Sequence, residues 1–351
     1  MTWRVGVVGT GFMGRTWSEV AARHAADTQL VAVAGGRRGP ALAADYGVDL
    51  ESTVEALLER DDIDVVVLAS PPAVHRDQVA VAAANGKHLL VEKPMAQDVA
   101  ECRAMVDACH AAGVKLAIVS QHRFRDTPAA AHRLIASGAI GDVRMIRLTG
   151  LEVGWWDLEA RGDTWKLDPA QQTAYASWAA HGIDLMRWFA GSDGTRAFAS
   201  ITNFSGVPPE VGQSAMVHYD FASGAMAQVW MSYETPKPGL HPAFEFTIVG
   251  SVGILRLDPY GKLLLGNGEA GEVAAEQPPF DPLDASDPVR LGAYRRQLED
   301  LLAAAGDGRE PLVNGEEGTA TVAMIVAAER SAASGEAVAV EPRSAVVAGT
   351  A

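Results

Sequence analysis

The chain has 351 residues, 48% hydrophobic and 21% charged, a globular composition in a chain long enough for two domains. Its formal net charge of −15 excludes nucleic acid and anionic membranes as partners, since both demand a basic surface. The two cysteines, Cys102 and Cys109, fall on one predicted helix about 10 Å apart, too far for a disulfide, and no metal-ligand spacing, secretory leader pattern or spanning apolar run occurs, so a metal-free cytoplasmic protein is expected.

The first predicted strand, Val5-Gly6-Val7-Val8, opens directly into Gly9-Thr10-Gly11-Phe12-Met13-Gly14, and a helix is predicted over residues 12–24. Spaced glycines between a buried strand and a helix suit a dinucleotide. Gly9 permits the tight turn, Gly11 lets a pyrophosphate approach the backbone, and Gly14 lets helix and strand pack closely. The helix start adds unpaired N–H groups and the positive end of its dipole. Further apolar runs at 30–34, 64–69, 88–91 and 115–119 alternate with helical patterns at 41–46, 54–59, 74–85 and 98–112. That alternation predicts βαβ units and a doubly wound parallel sheet, a Rossmann domain over residues 1–121. Gly86 and Gly113 follow helices and are expected in the left-handed conformation.

Beyond residue 121 the pattern changes to an α+β domain, 122–351, with a large, mostly antiparallel sheet. Helices are predicted at 127–137, 170–190, 289–305 and 316–333, and strands at 143–150, 214–221, 225–233, 243–249 and 253–257. Residues 266–288, rich in Gly, Pro and acids, are expected to form a mobile surface segment. In 225–233 both alternating faces carry apolar residues, one Ala225, Ala227, Val229, Met231 and Tyr233, the other Met226, Gln228, Trp230 and Ser232. Such a strand predicts cover on its second side, and another subunit would supply it.

Candidate site residues gather where parallel strands end. After the second strand come Gly35, Gly36, Arg37 and Arg38, with no carboxylate to bind a ribose 2′-OH. A guanidinium there binds a 2′-phosphate, so NADP is preferred over NAD; otherwise the two arginines are solvated loop residues. The third predicted strand is followed by Ser70, Pro71, Pro72 and His75, the histidine either lining the site or serving as an early helix residue. Val91-Glu92-Lys93-Pro94 follows the next strand. Lys93 there can hold a substrate hydroxyl, or it is a lysine paired with a carboxylate. Arg123 contacts substrate oxygens or pairs with an acid such as Glu92. Trp155, Trp156, Trp165 and Trp178 can stack on sugar C–H faces or pack a core.

In these motifs, together with Ser137-Gly138-Ala139-Ile140-Gly141, Arg123-Phe124 and His181-Gly182-Ile183-Asp184, the chain resembles the Gfo/Idh/MocA family of oxidoreductases over nearly its whole length. The resemblance implies a Rossmann domain followed by an open-sheet domain, and hydride transfer on sugars, cyclitols or related carbonyl compounds. It also implies a homodimer or homotetramer assembled through that sheet. Thr10, Phe12, Met13, Ser70, Pro71, His75 and Glu92 join the glycines as cofactor-binding candidates. Lys93 and His181 are the catalytic candidates, and Arg123, Trp156, Trp165, Ser177 and Trp178 complete the substrate set. The chain departs from the family where an aspartate four residues before the histidine usually orients it. Here Ser177 stands in that place, on one helical face with His181 and Asp184. Tyr175 and Asp157 are candidates for the missing role. A serine hydroxyl can orient an imidazole without stabilising its cation, so two alternatives stay open. One is redox-neutral glycoside cleavage or epimerisation with a retained nicotinamide. The other is a non-catalytic nicotinamide-binding regulatory protein.

Overall fold

Strand β1 (Trp3–Val8) buries its last four residues and stands between two parallel neighbours. The computed structural model describes residues 2–153, 168, 174–204, 213–239, 244–268 and 270–343. After β1 the chain continues through α1 (Phe12–Glu19), which passes into a π-helical turn ending at His24, then β2 (Thr28–Ala34), α2 (Gly39–Tyr46), β3 (Asp49–Glu51), α3 (Val54–Leu58) and β4 (Val65–Leu68). Next come α4 (His75–Ala84), β5 (His88–Val91), α5 (Val99–Ala112) and β6 (Leu116–Ile118). Local chemistry sets the helix ends. The Thr53 and Asp98 side chains accept from the backbone N–H groups of Ala56 and Glu101, 3.1 and 2.8 Å away, as N-caps of α3 and α5. Gly113 closes α5 in the left-handed conformation.

The six strands form one parallel sheet in the order β3-β2-β1-β4-β5-β6. Strand order reverses on either side of β1, which places the topological switch point between β1 and β4. Register makes the carboxyl ends level. Val8 pairs with both Ala34 and Leu68, Leu68 with Val91, and Val91 with Ile118. The segments that follow these five strands therefore emerge along one rim.

The remaining elements are α6 (Asp126–Ala136), β7 (Val143–Val153), α7 (Ala174–Ala190), β8 (Gly194–Thr202), β9 (Ser214–Phe221), β10 (Met226–Thr235), β11 (Glu245–Gly250), β12 (Ile254–Leu257), β13 (Lys262–Gly266), β14 (Gly271–Glu276), α8 (Pro288–Asp307), α9 (Gly315–Ser334) and β15 (Val338–Ala339). Strands β7–β15 build a nine-stranded sheet ordered β14-β13-β12-β11-β7-β10-β9-β8-β15. It is mostly antiparallel, with β10 and β7 running parallel at its centre. The segment expected to be a mobile surface stretch contains β14, paired with β13 at the sheet edge. Its residues are exposed except for half-buried Ala275, so the sequence shows no burial period and pairing with β13 marks it as a strand.

The chain divides into two compact units that do not follow its order. One comprises residues 1–124 and 280–319, the other 125–279 and 320–351. Helix α8, which lies beyond the sequence boundary at 121/122, thus belongs with the parallel sheet. Its Leu291, Tyr294, Leu298, Leu301 and Leu302 share a core with Val5, Val7, Trp17, Leu90 and Val119. In the second unit the buried faces of β7–β13 join the apolar sides of α7 and α9 in a separate core.

Candidate active site

The turn after β1 has the shape its glycines predict. Gly9 adopts φ +93°, and a Cβ there would meet the Ala69 carbonyl. A Cβ on Gly14 would collide with the Gly9 carbonyl, so the first turn of α1 lies directly against the loop. At Gly11, the N-cap of α1, nothing lies within 4 Å of a built Cβ. The loop is therefore closed toward the protein at Gly9 and Gly14 and open at Gly11, which fits a pyrophosphate seated on the helix N-terminus. Thr10 ties this loop to the end of β2 through a 2.8 Å hydrogen bond from its hydroxyl to the Gly35 carbonyl. Phe12 is substantially exposed and Met13 half-buried at the helix start.

Gly35 and Gly36 both have positive φ, and Arg37 and Arg38 are exposed just beyond them. Neither guanidinium has a hydrogen-bond or ion-pair partner among the described residues. Both remain available to an anionic ligand on this edge of the rim.

On the other side of β1, Ser70 and Pro71 are half-buried and His75 is buried. One imidazole nitrogen of His75, Nδ1, lies 3.0 Å from the Met95 carbonyl, and Nε2 lies 2.9 Å from that of Ser70. His75 thus braces the loop after β4 against the loop after β5. Burial holds its pKa below the usual histidine value, against the opposing pull of those carbonyls.

Glu92 is buried at the end of β5. Its carboxylate accepts the Trp17 indole N–H at 2.9 Å and the Lys93 backbone N–H at 3.2 Å. Burial pushes its pKa above the usual carboxylate range, opposed by the positive charges of Lys93 and Arg290 and by these donors. Lys93 is half-buried beside it, and the Lys93–Pro94 peptide is cis. Arg123 is also buried in this unit. Its guanidinium is paired at 2.7 Å with Glu317 from α9, not with Glu92. The separation of 194 positions explains why sequence spacing could not find the pair.

Helix α7 carries the second group. Ser177 and Asp184 are buried and His181 half-buried, at the i, i+4 and i+7 spacing that puts them on one face. Trp178 lies among the rings of Tyr233 and Phe244, with centroids 5.7 and 4.9 Å away, and donates to Glu152 at 3.1 Å. Tyr175 is buried, and its hydroxyl is 2.8 Å from that of Tyr219, which donates to the Met324 carbonyl at 3.1 Å. Tyr175 is therefore committed to a structural hydrogen-bond chain. Trp155, Trp156, Asp157 and Trp165 lie outside the described residues. Among the described residues no cluster of His, Cys, Asp or Glu could hold a metal, and no helix is long and apolar enough to cross a membrane.

Sequence reasoning missed the buried group behind the glycine loop, namely Thr16, Trp17, Arg290 and Tyr294. The Asp287-Pro288 pair does signal the start of α8, with Asp287 capping the N–H groups of Val289 and Arg290. No local signal tells that this helix returns to the first sheet.

Residues 3–120 match the family model described as the oxidoreductase family with an NAD-binding Rossmann fold, and residues 129–256 match the GFO/IDH/MocA C-terminal domain. A D-xylose 1-dehydrogenase (NADP(+)) of Haloferax volcanii is 30% identical, over 95% of this chain and 98% of its own. A 1,5-anhydro-D-fructose reductase of Ensifer adhaerens is also 30% identical, over 96% and 98%. Among solved structures, GenD2 from gentamicin A biosynthesis, in complex with NAD, superposes with a TM-score of 0.81 at 26% identity, covering 97% of each chain.

Proposed function

Because the chain belongs to the Gfo/Idh/MocA family of oxidoreductases, we propose that it interconverts a hydroxyl and a carbonyl on a sugar, cyclitol or close derivative, with NADP(H) preferred over NAD(H). Bound nicotinamide supplies the hydride acceptor or donor. The observation that carries the reading is the common rim, where Gly9–Gly14 follows β1 and Glu92-Lys93 follows β5, strands whose ends are held level through β4 between them. Gly9, Gly11 and Gly14 would hold the pyrophosphate, and Arg37 or Arg38 the 2′-phosphate. Two relatives named for sugars, one for NADP(+), support the substrate class and the cofactor.

In this reading Lys93 donates to the reacting oxygen and stabilises the alkoxide charge that develops there. Glu92 holds the Lys93 backbone and supplies a nearby negative charge. His181 takes the hydroxyl proton in oxidation and returns it in reduction. Ser177, one helical turn before it, can orient the ring but cannot stabilise its cation as a carboxylate would. That departure also supports a second reading, in which a retained nicotinamide serves a redox-neutral cleavage or epimerisation. Incubation with NADP+ or NADPH and a panel of aldoses, anhydro sugars and inositols separates the two. Net change in reduced nicotinamide supports the first, product without net change supports the second, and neither outcome in any pairing contradicts both.

We also propose that the active form is a homo-oligomer built through the nine-stranded sheet. Its outward face exposes Met145, Phe198, Met216, Met226 and Ile254. Their strand registers put Met145 beside Met226, and Met216 beside Trp230, two apolar pairs separated on the same face by Gln228, Arg147 and His218. A second copy is the occupant this face suits.

A further inference from the structure

Arg290 is almost fully buried, at 2% exposure, behind the glycine loop. Its Nη2 donates to the Thr16 hydroxyl at 3.0 Å, and that hydroxyl donates to the Phe12 carbonyl, also at 3.0 Å. Its Nε donates to the Pro282 carbonyl at 3.1 Å. The guanidinium carbon lies 4.7 Å from the centroid of the Phe12 ring and 4.9 Å from that of Tyr294. The Tyr294 ring meets Trp17 edge-on, and Trp17 donates to Glu92. Nη1 is buried with no hydrogen-bond partner among the described residues. An arginine stays charged when buried, and a buried charge without full compensation destabilises a fold unless an anion offsets it. The Glu92 carboxylate supplies part of that compensation.

We infer that Arg290 is a positioning residue of the dinucleotide site, acting from beneath the first turn of α1. The inference rests on the dinucleotide reading and goes beyond its motif residues. Phe12 directly follows Gly11, the N-cap at which a pyrophosphate would sit; Arg290 stacks on the Phe12 ring and reaches the Phe12 carbonyl through the Thr16 hydroxyl. A fixed positive charge below a helix N-terminus adds to the dipole and to the anion affinity of its N–H groups. Fixing the first turn also means that less order must be gained when ligand binds. Both effects act on the pyrophosphate, which NAD and NADP share. Arg290 therefore strengthens binding of the two equally, unlike an arginine that reads the 2′-phosphate.

The test is titration calorimetry of NAD+ and NADP+ with full-length wild type, R290K and R290Q, alongside sugar KM at saturating dinucleotide. R290Q is expected to weaken both dinucleotides about tenfold, the scale of a lost charge-assisted contact, with sugar KM unchanged. R290K, which keeps the charge, is expected to recover most of that loss. R290Q binding both cofactors as tightly as wild type overturns the inference, as does a loss confined to NADP+. Should R290Q fail to fold, T16V removes the hydroxyl relay alone. It is expected to weaken both dinucleotides about threefold on the same scale, and unchanged affinities would overturn the inference. A wild-type chain that binds neither dinucleotide overturns the underlying reading, and this inference with it.

Discussion

The Trp17 indole donates a 2.9 Å hydrogen bond to the buried Glu92 carboxylate, joining the helix after the glycine loop to the turn that carries Lys93. Neither partner is identifiable from the other in sequence, since 75 residues separate them. The bond gives a buried anion one of the donors it requires. Cofactor loop and candidate catalytic lysine are thereby parts of one packed cluster.

Burial raises the Glu92 pKa in the folded chain, which gives a pH dependence of definite sign. Between the ordinary carboxylate value of about 4.3 and the raised folded value, the native state binds more protons than the unfolded state. Stability attributable to Glu92 therefore falls as pH rises through that window. E92Q cannot ionise and loses this slope. Melting temperatures of wild type and E92Q measured across pH should diverge in favour of E92Q as pH rises. A constant difference at every pH would show that Glu92 titrates normally.

The exposed arginines beyond β2 predict cofactor choice. R37A or R38A should weaken NADP by roughly 1.5–3 kcal/mol, a tenfold effect or more, and leave NAD nearly unchanged. Equal wild-type binding of NAD and NADP, measured by calorimetry, would remove the basis for the preference.

The outward sheet face predicts assembly. Replacing Met216 or Phe198 by Glu places charge in the proposed interface, where desolvation would be costly. Sedimentation should show the variants as monomers against an oligomeric wild type. Variants that sediment as wild type does would place any interface elsewhere.

The parallel sheet was readable because each of its buried strands is an unbroken apolar run punctuated by glycine, proline or a cap. Strand β3, Asp49–Glu51, is not legible in the sequence because a three-residue edge strand with a single, exposed apolar residue, Leu50, carries no period. Strand β8 offers no bounded apolar run, and β13 only the short Leu263–Leu265 run between Lys262 and Gly266, although both largely alternate in burial once folded. The central β7–β10 pair runs parallel because strand direction depends on which strands meet, and alternation in one strand cannot encode that. Candidate site residues in motifs after strands are legible in the sequence. Those contributed by α8 and α9, such as Arg290 and Glu317, are not, because their partners lie 274 and 194 residues away.

The serine at position 177 predicts a direction of change for His181. In S177D an anion one helical turn away should raise the imidazole pKa. Oxidation requires the neutral ring as base, so the acidic limb of its pH profile should move to higher pH. H181N should abolish that limb and slow turnover by about 10²–10⁴-fold, the usual range for lost acid–base help. An acidic limb unmoved in folded S177D would exclude His181 as the group that sets it.

The central claim is that hydride transfer on a sugar-like hydroxyl depends on Lys93 at the reacting oxygen. Its most direct measurement is turnover of K93M, with saturating NADP+ and the preferred sugar, set beside the variant's affinity for NADP+. The account predicts dinucleotide affinity close to wild type and turnover reduced by about 10²-fold or more, the scale of a lost oxyanion contact. A K93M enzyme that binds NADP+ normally and turns over near the wild-type rate would contradict it.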